Sequence, residues 1–362
     1  MKVAIACGGT GGHLFPGLAV ADVLLERGHE VLVFISEKEI DSLATQGRDD
    51  LRLEKLPSVG MPHVFSPAIA KFFVRFFGSY QKCRQIYDSF QPDAVLGMGG
   101  FTSTAPILAG RTRKVPTFIH ESNAIPGKAS KLTARVSSMV LLGFAECATF
   151  FPKSKTEVTG TPVRHSLLTP VNRHEVLAKF GLRENVQTLL IMGGSQGAQG
   201  LNRAASAAVA TFPADELQVI HFTGKRCEET IRAEYASQGR AAYVAAFHHD
   251  MQEAYSVADL AISRSGAASL TELSHFGLPS VLIPFPYAAE DHQTLNAQIF
   301  VRAGAAILCK EENAIAGDLA DVLRRLIAKP ELLTTMAAKS KNFARDNAAA
   351  AVVDLIEQQC RR

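Results

Sequence analysis

Four short segments are rich in small residues where an apolar run gives way to a helical pattern. They are Gly8-Gly-Thr-Gly-Gly12, Gly97-Met-Gly-Gly100, Gly193-Gly-Ser-Gln-Gly197 and Arg264-Ser-Gly-Ala-Ala-Ser269. Without bulky side chains the main-chain N–H groups can close on an anion, and a helix N-terminus behind them adds about half a positive charge. One such loop is as readily a tight turn; four in equivalent places point to a diphosphate ligand. No Lys follows any of these turns, which excludes the P-loop mechanism. A nicotinamide site asks for G-x-G-x-x-G and an acid about 20 residues later. Here Gly9 and Gly11 supply the first two glycines, Leu14 stands in place of the third, and Glu37 follows the second strand, so that reading is weakened but open.

Polar side chains cluster near the same loops. His13 follows the first turn, where a helix N-terminus favours neutral imidazole, the form a general base needs; it can equally cap the helix or bond a loop carbonyl. His120-Glu121-Ser122-Asn123 ends a strand and can orient a hydroxyl or simply bond its own turn. Asp291-His292-Gln293 is a polar loop suited to sugar hydroxyls. His248-His249-Asp250 has metal-ligand residue types, but neighbours on an extended segment point to opposite sides, so no metal is expected there.

These residues need a scaffold, and the chain supplies one. Strands read at Val3–Cys7, Glu30–Ile35, Ala94–Leu96, Thr117–His120, Ser138–Leu142, Thr188–Met192, Gln218–Phe222, Ala242–Ala245, Leu260–Ser263 and Ser280–Pro284. Helical patterns separate them, the first from Pro16 to Glu26. Short uncharged runs alternating with helices mean parallel sheets covered on both faces. The strand–glycine turn–helix opening recurs about 185 residues on, so the 362 residues read as two doubly wound α/β domains, 1–162 and 163–339. A last helical stretch, Met336 to about Gln359, is expected to pack back on the first domain as the helix of 340–362.

Composition narrows the function. Lys+Arg 38 against Asp+Glu 35 leaves a formal charge of +3, too near zero to indicate nucleic acid. The 6 Cys include no C-x-x-C pair, which argues against a structural zinc or a disulfide framework. No run reaches the ~18 apolar residues of a membrane span. Residues 63–87 stand apart, with Lys71, Arg75, Lys82 and Arg84, no acid, and Phe72, Phe73, Phe76 and Phe77 repeating at i and i+4. Part of that stripe suits a core; the rest suits an anionic membrane surface, rings in the acyl boundary and cations on headgroups.

Taken together, the motifs resemble those of the MurG family of peptidoglycan glycosyltransferases. The resemblance runs over nearly the whole chain: Gly8 to His13 with Pro16 and Ala19, Gly97 to Ser103, His120-Glu121 with Asn123, Gly160-Thr-Pro-Val-Arg164, Gly193 to Ala198, Arg264 to Glu272, and Gly277-Leu-Pro279. It implies the GT-B fold, two facing Rossmann-like domains, the second holding the donor UDP-N-acetylglucosamine and the first the lipid-linked muramyl-pentapeptide acceptor. It implies an inverting transfer in cell-wall synthesis, hence a part in cell shape and division, at the cytoplasmic face of the bacterial inner membrane. On this resemblance Glu272 binds the ribose, Ser195 and the N–H groups of Ala267, Ala268 and Ser269 hold the diphosphate, Arg164 lies near the donor, and Gln293 reads the sugar. Thr10, Gly11, Gly12 and Asn123 approach the sugar from the first domain, and His13 or Glu121 activates the acceptor hydroxyl. No paired acidic motif for a metal is evident, so loop amides are expected to stabilise the leaving group without a metal or cofactor. The sequence departs from the family at Ser122, His248 and His292. Two other readings are a GT-B transferase with another acceptor and a nicotinamide-binding oxidoreductase or regulator; a third, a membrane-surface scaffold, leaves four anion-binding loops without purpose.

Overall fold

The computed structural model describes residues 1–38, 41–42, 45–57, 68–194 and 197–361. The chain divides into two compact units, Met1–Arg164 with Arg345–Arg362, and His165–Ala344.

The first unit is built on β1 (Lys2–Ala6), β2 (Glu30–Ser36), β3 (Arg52–Leu56), β4 (Ala94–Gly97), β5 (Thr117–Glu121), β6 (Met139–Leu142) and β7 (Thr156–Val158), in the order β3-β2-β1-β4-β5-β6-β7. The second uses β8 (Gln187–Met192), β9 (Leu217–Phe222), β10 (Ala242–Ala245), β11 (Leu260–Ser263), β12 (Ser280–Leu282) and β13 (Ala306–Leu308), in the order β10-β9-β8-β11-β12-β13. Neighbouring strands in both sheets are parallel. Each order reverses direction at one place, between β1 and β4 and between β8 and β11, and ligands of open α/β sheets sit at such switch points. All four glycine segments leave the carboxyl ends of those four strands.

Burial explains why the strands lack an alternating pattern. Val3, Ile5 and Cys7 pack on one face with Leu14, Leu18 and Leu24 of the helix Gly11–Glu26. Ala4 and Ala6 face the other way, into a core with Phe34, Tyr87 and Ile107. In the second unit, Leu189 and Ile191 pack with Leu201, Ala205 and Leu323. Both faces of each sheet being covered, the inner strands are mainly apolar or small; the buried exceptions, His120 and Glu121 in β5 and Gln218 and His221 in β9, each have hydrogen-bond partners.

Every strand read from the sequence is present, within a residue or two at its ends. The edge strands β3, β7 and β13 carry weaker signals: β3 holds Arg52, Glu54 and Lys55 among only two leucines, and β7 is three half-exposed or exposed residues. The first helix starts at Gly11, five residues before the expected Pro16, so Gly11, Gly12 and His13 lie inside its first turn. Pro16 has no N–H to give the Gly12 carbonyl, and a proline in that place reads as a helix start. The expected continuous helix from Met336 is two helices, Pro330–Lys341 and Ala348–Cys360. Phe343 stacks on Phe300 at 4.3 Å within the second unit, whereas Arg345 packs where a Cβ on Gly160 would lie, within the first. The intervening residues leave helical geometry so that both contacts form. Ala348–Cys360 then lies against Gly11–Glu26, with Val352, Val353 and Ile356 fully buried and His29 bonded to Glu357 at 2.8 Å.

Candidate active site

In the first unit, the switch point gathers His13, Thr10 and the turn after β4. Thr10 caps the helix with extended backbone, and its Oγ1 lies 3.1 Å from His13 Nδ1. The imidazole rests on the Gly99–Gly100 turn: a Cβ on Gly99 would stand 3.1 Å from His13 Nε2, and one on Gly100 3.3 Å from Cε1. Gly99 has φ +96, which only glycine adopts without strain, so this turn is shaped to receive the ring. The same point on Gly99 lies 3.8 Å from the His120 carbonyl, which brings the β5 loop alongside.

That loop is held by two buried side chains. Glu121 Oε1 accepts the main-chain and side-chain N–H of Asn123, both at 3.0 Å, and Oε2 accepts the Gly127 N–H at 3.1 Å. His120 Nε2 donates to the Gly160 carbonyl at 2.9 Å, so Nδ1 is the acceptor and takes the Ser122 hydroxyl at 3.3 Å. Burial pushes the His120 pKa down, keeping the ring neutral. Ser122, a departure from the family, thus has a partner of its own. Arg164 stacks its guanidinium 4.3 Å from the Phe15 ring centroid, with Nε buried and without a hydrogen-bond partner among the described residues.

In the second unit, the helices Gln199–Val209 and Ala267–His275 start beside each other's strands, β8 and β11, and neither has a side-chain cap. The N–H groups of Ala267, Ala268 and Ser269 have no acceptor within their helix, as in any first turn. Gly197 at φ +72 lies so close to the Thr223 carbonyl that a Cβ would be 2.5 Å from it. Ser195 falls outside the described residues. Glu272 is on the helix face shared with Ala268 and Ser269, and the Tyr255 hydroxyl donates to its Oε2 at 2.7 Å. Gln293 joins this group: its Oε1 accepts the Phe285 N–H at 2.9 Å, which leaves the amide NH2 as the donor, and its carbonyl accepts the Ser265 hydroxyl at 2.8 Å. Glu290 and Asp291, just before it, hold φ of +54 and +51, strain of a kind that collects in functional loops. Arg264 faces inward, donating to the carbonyls of Ile283 at 3.0 Å and Pro284 at 2.9 Å and pairing with Glu311. The cation of the fourth segment therefore supports the loop from beneath.

His248 lies in an aromatic nest, parallel to Phe222 at 5.5 Å and bonded to Glu253 at 3.0 Å. His292 Nδ1 donates to the Ala289 carbonyl at 2.6 Å.

The basic aromatic segment needs a correction. Residues 63–67 lie outside the described residues. In the helix Ala68–Phe90 the two phenylalanine rows separate: Phe72, 7% exposed, and Phe76 pack inward, Phe72 edge-on to Phe101 at 5.7 Å. Phe73 at 59% and Phe77 at 60% face outward with Val74, Lys71 and Arg75. A helix turns 100° per residue, so adjacent rings cannot share one face. Phe72, buried, leaves the set of surface contacts, and Phe76 is half-buried against the core. No helix among the described residues is long and apolar enough to cross a membrane.

Tyr255 and Asp41 were not singled out in the sequence, and Gly99 and Ser265 only as members of their small-residue segments. Each acts through a residue distant in the chain, and no local spacing signals it.

Family models match both units: residues 3–142 fit the glycosyltransferase family 28 N-terminal domain and residues 188–352 the family 28 C-terminal domain. A UDP-N-acetylglucosamine–N-acetylmuramyl-(pentapeptide) pyrophosphoryl-undecaprenol N-acetylglucosamine transferase of Geobacter sulfurreducens is 37% identical over 98% of this chain and 97% of its own. The transferase of the same name from Thermodesulfovibrio yellowstonii is 35% identical over 100% of both. Among solved structures, Acinetobacter baumannii MurG matches with a TM-score of 0.78 at 29% identity, covering 99% of each chain.

Proposed function

This chain belongs to glycosyltransferase family 28, and from that membership we propose that it transfers N-acetylglucosamine from UDP-N-acetylglucosamine to the N-acetylmuramyl-pentapeptide carried on pyrophosphoryl-undecaprenol, a step of peptidoglycan synthesis. The observation that carries this reading is the full-length kinship to transferases of that name, with both switch points built for it. The oxidoreductase reading has no comparable support.

The second unit takes the donor. Glu272, oriented by Tyr255, receives the ribose hydroxyls, the first-turn N–H groups of Ala267, Ala268 and Ser269 face the diphosphate with Ser195, and the Gln293 NH2 reads the sugar. The first unit takes the acceptor. His13, held at Nδ1 by the Thr10 hydroxyl, is the base of this reading. The acceptor 4-hydroxyl attacks the anomeric carbon as its proton passes to His13; the bond from that carbon to the diphosphate oxygen breaks, UDP leaves with the electron pair, and configuration inverts. Glu121, with both oxygens on N–H groups, shapes the Asn123 loop for the sugar, so the base is His13. The helix N-termini of the second unit meet the charge on the departing UDP, preorganised dipoles being effective for such charge, and Arg164 is a further donor-side residue on the family resemblance. On this reading a chelator leaves the rate unchanged.

The undecaprenyl chain requires work at a membrane surface. Exposed Phe73, Val74 and Phe77 beside Lys71 and Arg75 support peripheral binding to the cytoplasmic face of the inner membrane.

An assay with UDP-N-acetylglucosamine and a soluble analogue of the muramyl lipid tests the proposal. UDP release should depend on the acceptor, and His13→Ala should lower kcat by about 10²- to 10⁴-fold with the fold intact. Equal turnover with diacylglycerol, or none with the muramyl analogue, would sink it.

A further inference from the structure

We propose that Asp41 is a positioning residue for this transfer: buried beneath the first glycine turn, it fixes that turn and, through Thr10, the ring of His13. The inference rests on the function proposed above. Asp41 is 0% exposed, and one oxygen, Oδ2, accepts two main-chain N–H groups, Gly9 at 2.8 Å and Ser36 at 2.8 Å. Its other oxygen, Oδ1, is buried without a hydrogen-bond partner among the described residues. A carboxylate in such a place is costly, and a neutral residue of similar size would avoid that cost. What the charge supplies is an acceptor strong enough to hold two amides from different elements, the turn after β1 and the end of β2.

The grip on Gly9 is two-sided. Its N–H is drawn inward by Asp41, while its carbonyl accepts Lys38 Nζ at 2.6 Å. Gly8, one residue earlier, is pressed against β2 so closely that a Cβ would stand 2.2 Å from the Ser36 nitrogen. The turn therefore has one position relative to β2. The next residue is Thr10, whose hydroxyl lies 3.1 Å from His13 Nδ1 and holds the ring in place. The linkage runs Asp41, Gly9, Thr10, His13, all within one unit. It also commits the Gly9 N–H to Asp41, so that donor is not offered to an anion.

A double-mutant cycle separates positioning from mere structural support. Asp41→Asn should lower kcat about 30-fold in the otherwise unaltered protein, since a 1 Å misplacement at a catalytic group costs on the order of 100-fold. In the His13→Ala background the same change should cost less than about 3-fold, because the group it positions is gone. UDP affinity by calorimetry should be the same in both proteins. Equal losses in the two backgrounds, or a loss that tracks a falling folded fraction, overturn the proposal. Thr10→Val cuts the same linkage at an exposed residue and guards against an Asp41 variant that does not fold; full kcat in Thr10→Val also overturns it. No transfer by the unaltered protein would instead remove the parent reading, and this inference with it, a result distinct from every arm of the cycle.

Discussion

At the scale of single residues, partners decide what a side chain can do. Glu121 and Glu272 are both carboxylates near a switch point, yet Glu121 has its two oxygens on loop N–H groups while Glu272 is oriented through one oxygen by Tyr255. A carboxylate aimed by a phenol suits the ribose diol. Loss of a charged hydrogen bond costs about 1.5–3 kcal/mol, so Glu272→Ala should weaken UDP binding by about 10- to 100-fold. Tyr255→Phe leaves the carboxylate but frees its orientation and should cost a few-fold less. Calorimetric titration with UDP reads both, and unchanged affinity in Glu272→Ala would take the residue out of the nucleotide site.

At the scale of elements, the helix Ala68–Phe90 carries the sharpest contrast. Its inner row, Phe72 and Phe76, fastens it over the β-sheet against Phe101, and its outer row, Phe73 and Phe77, faces solvent between Lys71 and Arg75. The two rows should separate in experiment. Phe73→Ser with Phe77→Ser should reduce sedimentation with anionic phospholipid vesicles several-fold and leave the thermal midpoint nearly unchanged. Phe72→Ala removes a buried ring and should destabilise by about 3 kcal/mol or more, read as a fall in the urea midpoint. Vesicle binding untouched by the outer pair would return those rings to ordinary surface.

At the scale of the whole molecule, each unit buries a neutral histidine. His120 in the first and His221 in the second both have depressed pKa values, His221 to about 3 from 6.5, in each case because burial disfavours the charged form. His221 donates Nε2–H to Asn202 and accepts from the Tyr235 hydroxyl at 3.0 Å, so neither nitrogen is open to a further proton. The unfolded chain takes up a proton at these histidines below pH ~6.5 while the folded chain does not, so stability falls as pH drops. The slope for each is at most about 1.4 kcal/mol per pH unit. Glu357, held below the usual carboxylate range by His29 and Arg27, adds a loss only at more acidic pH. Urea unfolding at pH 7, 6 and 5 should show declining stability, and His221→Gln should flatten the decline while lowering the value at pH 7. A flat profile in the unaltered protein would contradict the neutral-histidine assignment.

The sequence by itself determined the layers, the repeat of the strand–turn–helix opening, and the residue types at both switch points. Strands buried on two faces are mostly uncharged, and a turn that lets backbone approach a ligand must be small, so both leave marks within a few consecutive letters. Tertiary structure alone decided which polar groups are committed elsewhere. Arg264 turned inward, Glu121 closed on its own loop, Phe72 parted from Phe73, and Asp41 came under Gly9 from a separate element. Those outcomes depend on contacts between residues far apart in the chain, where direction and burial are fixed by packing, and no local spacing encodes them.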